Sequence, residues 1–223
     1  MKLNDLAIIL VSGGMDSCVS AASAIENGYK PAFLHVNYGQ LTEKRELRAF
    51  YEIADYYHVE ERMVVDINHL AAMGGSCLTD KKIAVPNARL DNIEIPVSYV
   101  PFRNANILSA AVSWAEIIHS NSIFIGAVEE DSSGYPDCRR SFFDAFEKVV
   151  GEGTRPETRI SIITPLIDLS KKEIIKKGME MSAPLNLTWS CYKRDDIPCR
   201  ECDSCALRAR GFQQAGLVDP IDP

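Results

Sequence analysis

The chain has 223 residues, 46% of them hydrophobic and 25% charged, with a formal net charge of −7. That composition belongs to an ordinary globular protein with a real core and excludes collagen-like, coiled-coil and disordered classes. The acidic balance would repel a nucleic-acid backbone, so a small-molecule substrate and no nucleic-acid partner are expected.

Leu6–Val11 is a continuous apolar run ended by Ser12-Gly13-Gly14, the pattern of a strand buried on both faces of a parallel sheet. Only Met1–Asp5 precede it, which does not read as a signal peptide. No apolar run approaches the ~18 residues needed to cross a bilayer, so no membrane contact and a cytoplasmic location are the expectations. A helix over Met15–Asn27 stops at Gly28, a common helix C-terminus. Pro31–Val36, Thr42–Tyr57 and Glu61–Val65 read as strand, helix and strand. Asp66–Pro101, with Gly74-Gly75, Pro86 and Pro96, is too long for a mere connection and is expected to cover the substrate as a lid.

Asn104–His119 has helical apolar spacing and Ser122–Ile125 reads as a short strand. Ser141–Gly151 is an amphipathic helix with Phe142, Phe143 and Phe146 inward. Ile160–Thr164 makes a fifth strand, and Ser170-Lys171-Lys172-Glu173 has the spacing of a capping box that opens a helix to about Met181. The alternation predicts an α/β fold, a doubly wound parallel five-stranded sheet over residues 1–185. Residues 186–223 would form a C-terminal four-cysteine segment and closing helix. Ligands of such sheets bind beyond the carboxyl ends of the strands.

Ser12-Gly13-Gly14-Met15-Asp16-Ser17 stands where the first strand passes into a helix, so turn amides and the positive helix end can cradle an anion. The glycines let a phosphate approach the backbone, Ser12 and Ser17 add hydroxyls, and Asp16 can orient the loop or hold Mg2+. The Walker and dinucleotide fingerprints are both lacking. The competing reading is a plain helix cap, with Ser12 or Asp16 satisfying free amides.

Cys191, Cys199, Cys202 and Cys205 form C-x7-C-x2-C-x2-C, which can close a tetrahedral zinc site with no open position, a structural rather than catalytic arrangement. An iron–sulfur cluster is the competing reading, although Ala206 stands where a ferredoxin run has proline. Cys18, Cys77 and Cys138 lack metal spacing, and His35, in a predicted strand, reads as a satisfied core residue. Arg103, Tyr135 and Arg139 lie in turn-forming segments and by spacing alone read equally as surface ion pairs and a packed aromatic.

SGGMDS, Tyr38-Gly39-Gln40, VPFRN, SGYPDCR, TPLIDLSKKE and the terminal cysteine set occur in that order. Together, over Ile8 to Phe212, they resemble the 7-cyano-7-deazaguanine synthase family. The glycine loop resembles that of many adenylating enzymes with the adenine-nucleotide alpha-hydrolase fold; SGYPDCR with the cysteines is specific. The resemblance implies two ATP, Mg2+ and Zn2+ as cofactors, with 7-carboxy-7-deazaguanine and ammonia as substrates. The acid would be adenylated, converted to the amide, activated again and dehydrated to the nitrile. It further implies a nucleotide site over Val11, Ser12, Gly13, Gly14, Met15, Asp16, Ser17 and Cys18. Asp16, Ser17, Arg103 and Lys171 would serve catalysis, Asn104, Tyr135, Asp137 and Arg139 the deazaguanine, and the protein would be a homodimer.

The chain departs from the family pattern at Leu41-Thr42, where Arg-His is usual, and at Phe102, where glycine is usual. A variant that attaches a deazaguanine to a protein acceptor is therefore the competing function. An ammonia-dependent NAD or GMP synthetase, a tRNA-thiolating relative and an ATP-binding sensor without turnover share only the loop and the sheet.

Overall fold

A computed structural model describes residues 5–90, 94–129 and 134–222. Five strands form one sheet: β1 (Leu6–Leu10), β2 (Lys30–Asn37), β3 (Arg62–Asp66), β4 (Ser122–Ile125) and β5 (Ser161–Ile163). Their order is β3-β2-β1-β4-β5 and every pairing is parallel. The chain winds outward from β1 to β3, then returns to lay β4 on the other side of β1. The order therefore reverses between β1 and β4, which opens a crevice beyond their carboxyl ends.

The strand sequences are apolar on both faces because helices cover both. Ala7, Ile9, Phe33 and Phe124 join one core with residues of α1 (Met15–Glu26), α2 (Glu43–Tyr56), α6 (Lys171–Glu180) and α7 (Asp203–Ala215). Ile8, Leu10, Leu34 and Ile123 join the other with α4 (Arg103–Ile118) and α5 (Arg140–Gly153). Phe143 is buried there and Phe142 and Phe146 pack partly buried beside it, the inward face read from the sequence.

The stretch after β3 is less irregular than its composition suggests. It contains the short helix α3 (His69–Met73), and Leu70, Cys77, Leu78 and Val100 build a small core with Tyr38. It is also pinned to the cysteine segment: Ala88 N donates to Glu201 O at 2.7 Å and Lys193 Nζ to Asn87 Oδ1 at 2.8 Å. A gapped apolar pattern of five residues is too short to announce a helix, since tertiary packing rather than propensity holds it. Residues 91–93 of this stretch, and Ser133 of the SGYPDCR segment, lie outside the described residues. Among the described residues no helix is long and apolar enough to cross a membrane.

Candidate active site

The turn between β1 and α1 sits at the switch point and lines a cleft of about 290 Å³. Its shape follows from glycine. Gly13 has φ +88, and a Cβ there would stand 2.5 Å from Glu46 O of α2, so any other residue would displace α2. On the opposite side a Cβ on Gly126, just past β4, would meet Asp16 O at 2.6 Å. Glycine at these two positions lets the start of α1 sink between β4 and α2.

Ser17 Oγ donates to Gly14 O at 2.8 Å and accepts from Ser12 N at 3.2 Å, while Ser12 Oγ accepts from Gly14 N at 3.3 Å. These bonds fix the turn but do not fill the helix end. Gly14 is the N-cap and carries no side-chain cap bond; of the two residues read as caps, Ser12 accepts only from Gly14 N and Asp16 turns to Lys171. The first-turn amides of α1 lack intrahelical partners by geometry and form an anion cradle.

Lys171, at the start of α6, reaches across to Asp16, Nζ to Oδ2 at 2.5 Å. The capping box expected at Ser170 and Glu173 is formed, so the start of α6 is satisfied by its own side chains and holds Lys171 in place. The other oxygen of Asp16, Oδ1, is buried without a hydrogen-bond partner. A buried anionic oxygen beside a phosphate cradle suits a hard divalent cation.

The far wall carries Arg103, Asn104, Tyr38, Tyr135 and Tyr192. The Arg103 guanidinium lies 5.4 Å from the Tyr38 ring centroid and 5.7 Å from that of Tyr135, close enough for cation–π attraction. Tyr135 Oη donates to Ser98 Oγ at 2.9 Å, which holds the ring upright. Cys138 also lines the cleft, but burial pushes its thiol up to about 11, so it is no nucleophile at neutral pH.

Most of the residues picked from the sequence converge on this cleft: Val11, Ser12, Gly14, Met15, Asp16, Ser17, Arg103, Asn104, Tyr135 and Lys171 all line it. Four others stand elsewhere. Gly13 turns its α-carbon toward α2. Cys18 is fully buried below the loop, its thiol pushed up to about 12 by burial. Asp137 is buried behind the wall, where Oδ2 accepts from Asn104 N at 2.9 Å and so caps the start of α4. Arg139 is exposed at the N-cap of α5, away from the cleft. His35 is a satisfied core residue, its ring nitrogens 2.9 Å from Val11 O and 3.0 Å from Asn37 Oδ1.

Glu46, Gly126, Trp189 and Arg208 also line the cleft and were not singled out in the sequence. Glu46 lies in the helical pattern of a solvated charged face. Trp189 N donates to Gly13 O at 2.8 Å, and Arg208 contacts Thr188 and Ser190, so their roles come from long-range contacts. Gly126 alone had a local signal, a glycine directly after a buried strand.

The four cysteine sulfurs of Cys191, Cys199, Cys202 and Cys205 lie within 4.8 Å of one another. The Cys199 and Cys205 sulfurs are 3.9 Å apart, close to the ~3.8 Å edge of a tetrahedron with metal–sulfur bonds of ~2.3 Å. Backbone amides of Lys193, Arg194 and Cys199 point at Cys191 Sγ at 3.3–3.4 Å, and those of Glu201 and Cys202 at Cys199 Sγ over the same range. Such N–H donors stabilise thiolate ligands. The set therefore fits a tetrahedral metal ion. It packs with Trp189 and Ala49, which couples it to the phosphate turn.

Comparison with known proteins agrees with this geometry. The family model described as Queuosine biosynthesis protein QueC matches residues 6–216. The 7-cyano-7-deazaguanine synthase of Chloroherpeton thalassium is 58% identical over 216 residues, covering 97% of this chain and 96% of the relative. The protein of that name from Chlorobaculum parvum is 57% identical, covering 97% and 95%. Among solved structures, a 4-thiouridine synthetase–RNA complex with bound ATP superposes with TM-score 0.53 at 16% identity. It covers 95% of this chain, which spans half of that protein. NMN synthetase from Francisella tularensis gives TM-score 0.51 at 14% identity, covering 97% of this chain and 79% of the other. At those identities the two structures share the fold.

Proposed function

The chain belongs to the QueC family, and from that premise we propose that it converts 7-carboxy-7-deazaguanine and ammonia into 7-cyano-7-deazaguanine, using ATP to activate first the acid and then the amide. One observation carries the reading. The cleft sets an uncapped helix start against a lysine–aspartate pair, in a chain that matches synthases along nearly its full length.

A carboxylate is a poor electrophile until its oxygen becomes part of a leaving group, which is what adenylation achieves. The acid oxygen attacks the α-phosphorus and pyrophosphate departs; ammonia then adds to the acyl carbon and AMP leaves. The first-turn amides of α1, in a turn whose shape Ser12 and Ser17 fix, hold the departing phosphates, and Lys171 neutralises the charge that develops on them. Arg103, on the opposite wall, holds the acid or its α-phosphate, and Asn104 and Tyr135 orient the ring. Asp137 acts from behind by fixing the start of α4, and Arg139 by starting α5.

Mg2+ would be held by Asp16 through its unpartnered oxygen and would supply further charge neutralisation on the phosphates. Zn2+ would be held by the four cysteines as a structural ion, making 186–223 an appendage ordered by metal.

The test is incubation with ATP, Mg2+, ammonium and 7-carboxy-7-deazaguanine, following AMP and the product mass. The expected outcome is acid-dependent AMP and the nitrile. A reaction that ends at the amide, or a deazaguanine carried on a protein, would overturn the nitrile reading in favour of the variant activity.

A further inference from the structure

Among the described residues two carboxylates line the cleft, Asp16 and Glu46. Asp16 is engaged by Lys171, and Asp137, the acid expected to meet the substrate ring, gives Oδ2 to Asn104 N of α4, keeps a buried Oδ1 without a hydrogen-bond partner, and does not line the cleft. Glu46 is held unusually firmly for a surface-helix glutamate. Thr42 Oγ1 donates to its Oε1 at 2.7 Å and Gln40 Nε2 to its Oε2 at 3.1 Å. Gln40 is itself fixed, since its Oε1 accepts Tyr38 N at 2.9 Å. The Tyr-Gly-Gln segment and Thr42, one of the positions at which the chain departs from the family pattern, thus share one task. They lock a carboxylate into the cleft wall.

With one donor on each oxygen, the Glu46 carboxylate retains acceptor capacity for a second hydrogen bond at each. The charged and titratable groups that face it are Arg103 of α4, Tyr38 after β2, and Glu43 on α2 itself. Burial pushes the Glu46 carboxyl above the usual range, against the pull of its two donors and Arg103. A desolvated carboxylate fixed in the lining of a cleft is complementary to a flat heterocycle that presents two adjacent N–H donors.

We infer that Glu46 reads the N–H edge of the deazaguanine ring, accepting from the ring N–H and the exocyclic 2-amino group, within the cleft that Tyr38 and Tyr135 also line. The inference rests on the proposed function for the identity of the ring. It makes Glu46 the specificity-determining residue of the cleft.

The test is calorimetric titration of the zinc-loaded full chain with 7-deazaguanine and with 7-deazahypoxanthine, which lacks the 2-amino group. A site built to pair that group rejects the analogue by roughly 10- to 100-fold. In Glu46→Gln, and in Glu46→Asp, whose carboxylate is withdrawn by one methylene, that preference is expected to collapse. Only the ionised carboxylate accepts both donors, so wild-type affinity for 7-deazaguanine should fall as pH drops through the Glu46 titration, and Glu46→Gln should lose that fall. Equal wild-type affinity for the two rings, or an unchanged preference in Glu46→Gln, would overturn the inference. Pyrophosphate release with the 7-carboxy acid, measured in parallel, separates the two claims. Ring preference that depends on Glu46 without acid-dependent release leaves this inference standing and removes the proposed reaction.

Discussion

Lys171 shows how a single residue acquires a role from its partner. Its pair with Asp16 joins α6 to α1 across the mouth of the glycine turn, and under the proposed reaction its ammonium would neutralise charge on the departing pyrophosphate. Replacing it with methionine keeps the stem and removes the charge. We expect Lys171→Met to lower kcat for acid-dependent pyrophosphate release by about 10²- to 10³-fold, the effect of removing one donor aimed at developing charge. Zinc content should be unchanged, as metal analysis would show. Phe102 illustrates a residue whose cost and benefit nearly cancel. It sits at φ 57, a left-handed conformation that costs roughly 1–2 kcal/mol without glycine. Its edge-on contact with Phe142, ring centroids 6.2 Å apart, returns ~0.5–1.5 kcal/mol.

At the scale of elements, two helix starts face the same cleft and are treated in opposite ways. The start of α6 is closed by the Ser170–Glu173 capping box, whereas α1 has no side-chain cap and leaves its first amides for a ligand. Capping α1 would stabilise the helix by ~1 kcal/mol and occupy the cradle. The cysteine segment is the other functional element. It supports the phosphate turn through Trp189 N, which donates to Gly13 O at 2.8 Å. Removing the metal with a chelator, or changing Cys202→Ser, should therefore lower thermal stability and weaken ATP binding together. A coincident change in tryptophan fluorescence would report the movement, since Trp189 packs on the cysteines. Unchanged ATP affinity after metal loss would show the segment to be independent of the site.

At the scale of the whole molecule, a buried ion pair fastens the C-terminal turn to α7 and to the segment 185–190. Arg208 of α7 donates to Asp219 at 2.6 and 2.9 Å and also to Thr188 Oγ1 at 2.7 Å and Leu185 O at 3.2 Å. Side-chain exposures of 4% and 8% mean that neither charge can turn to water. Asp219→Asn should cost about 3–5 kcal/mol in a urea titration, because it strands a buried guanidinium. The strands, the glycine turn, the capping box and the cysteine set were readable in the sequence, because each is written in residues close together along the chain and obeys a local period or spacing. The five-stranded architecture followed from their alternation. That Glu46 rather than Asp137 lines the cleft beside Asp16 was not readable. Asp137 and Glu46 carry the same chemical group, and only the packing of α4 behind one and the donors Gln40 and Thr42 around the other assign them different work. The sequence determined the parts and their order. The tertiary structure decided which polar groups were left for a ligand, because that depends on contacts between residues far apart in the chain.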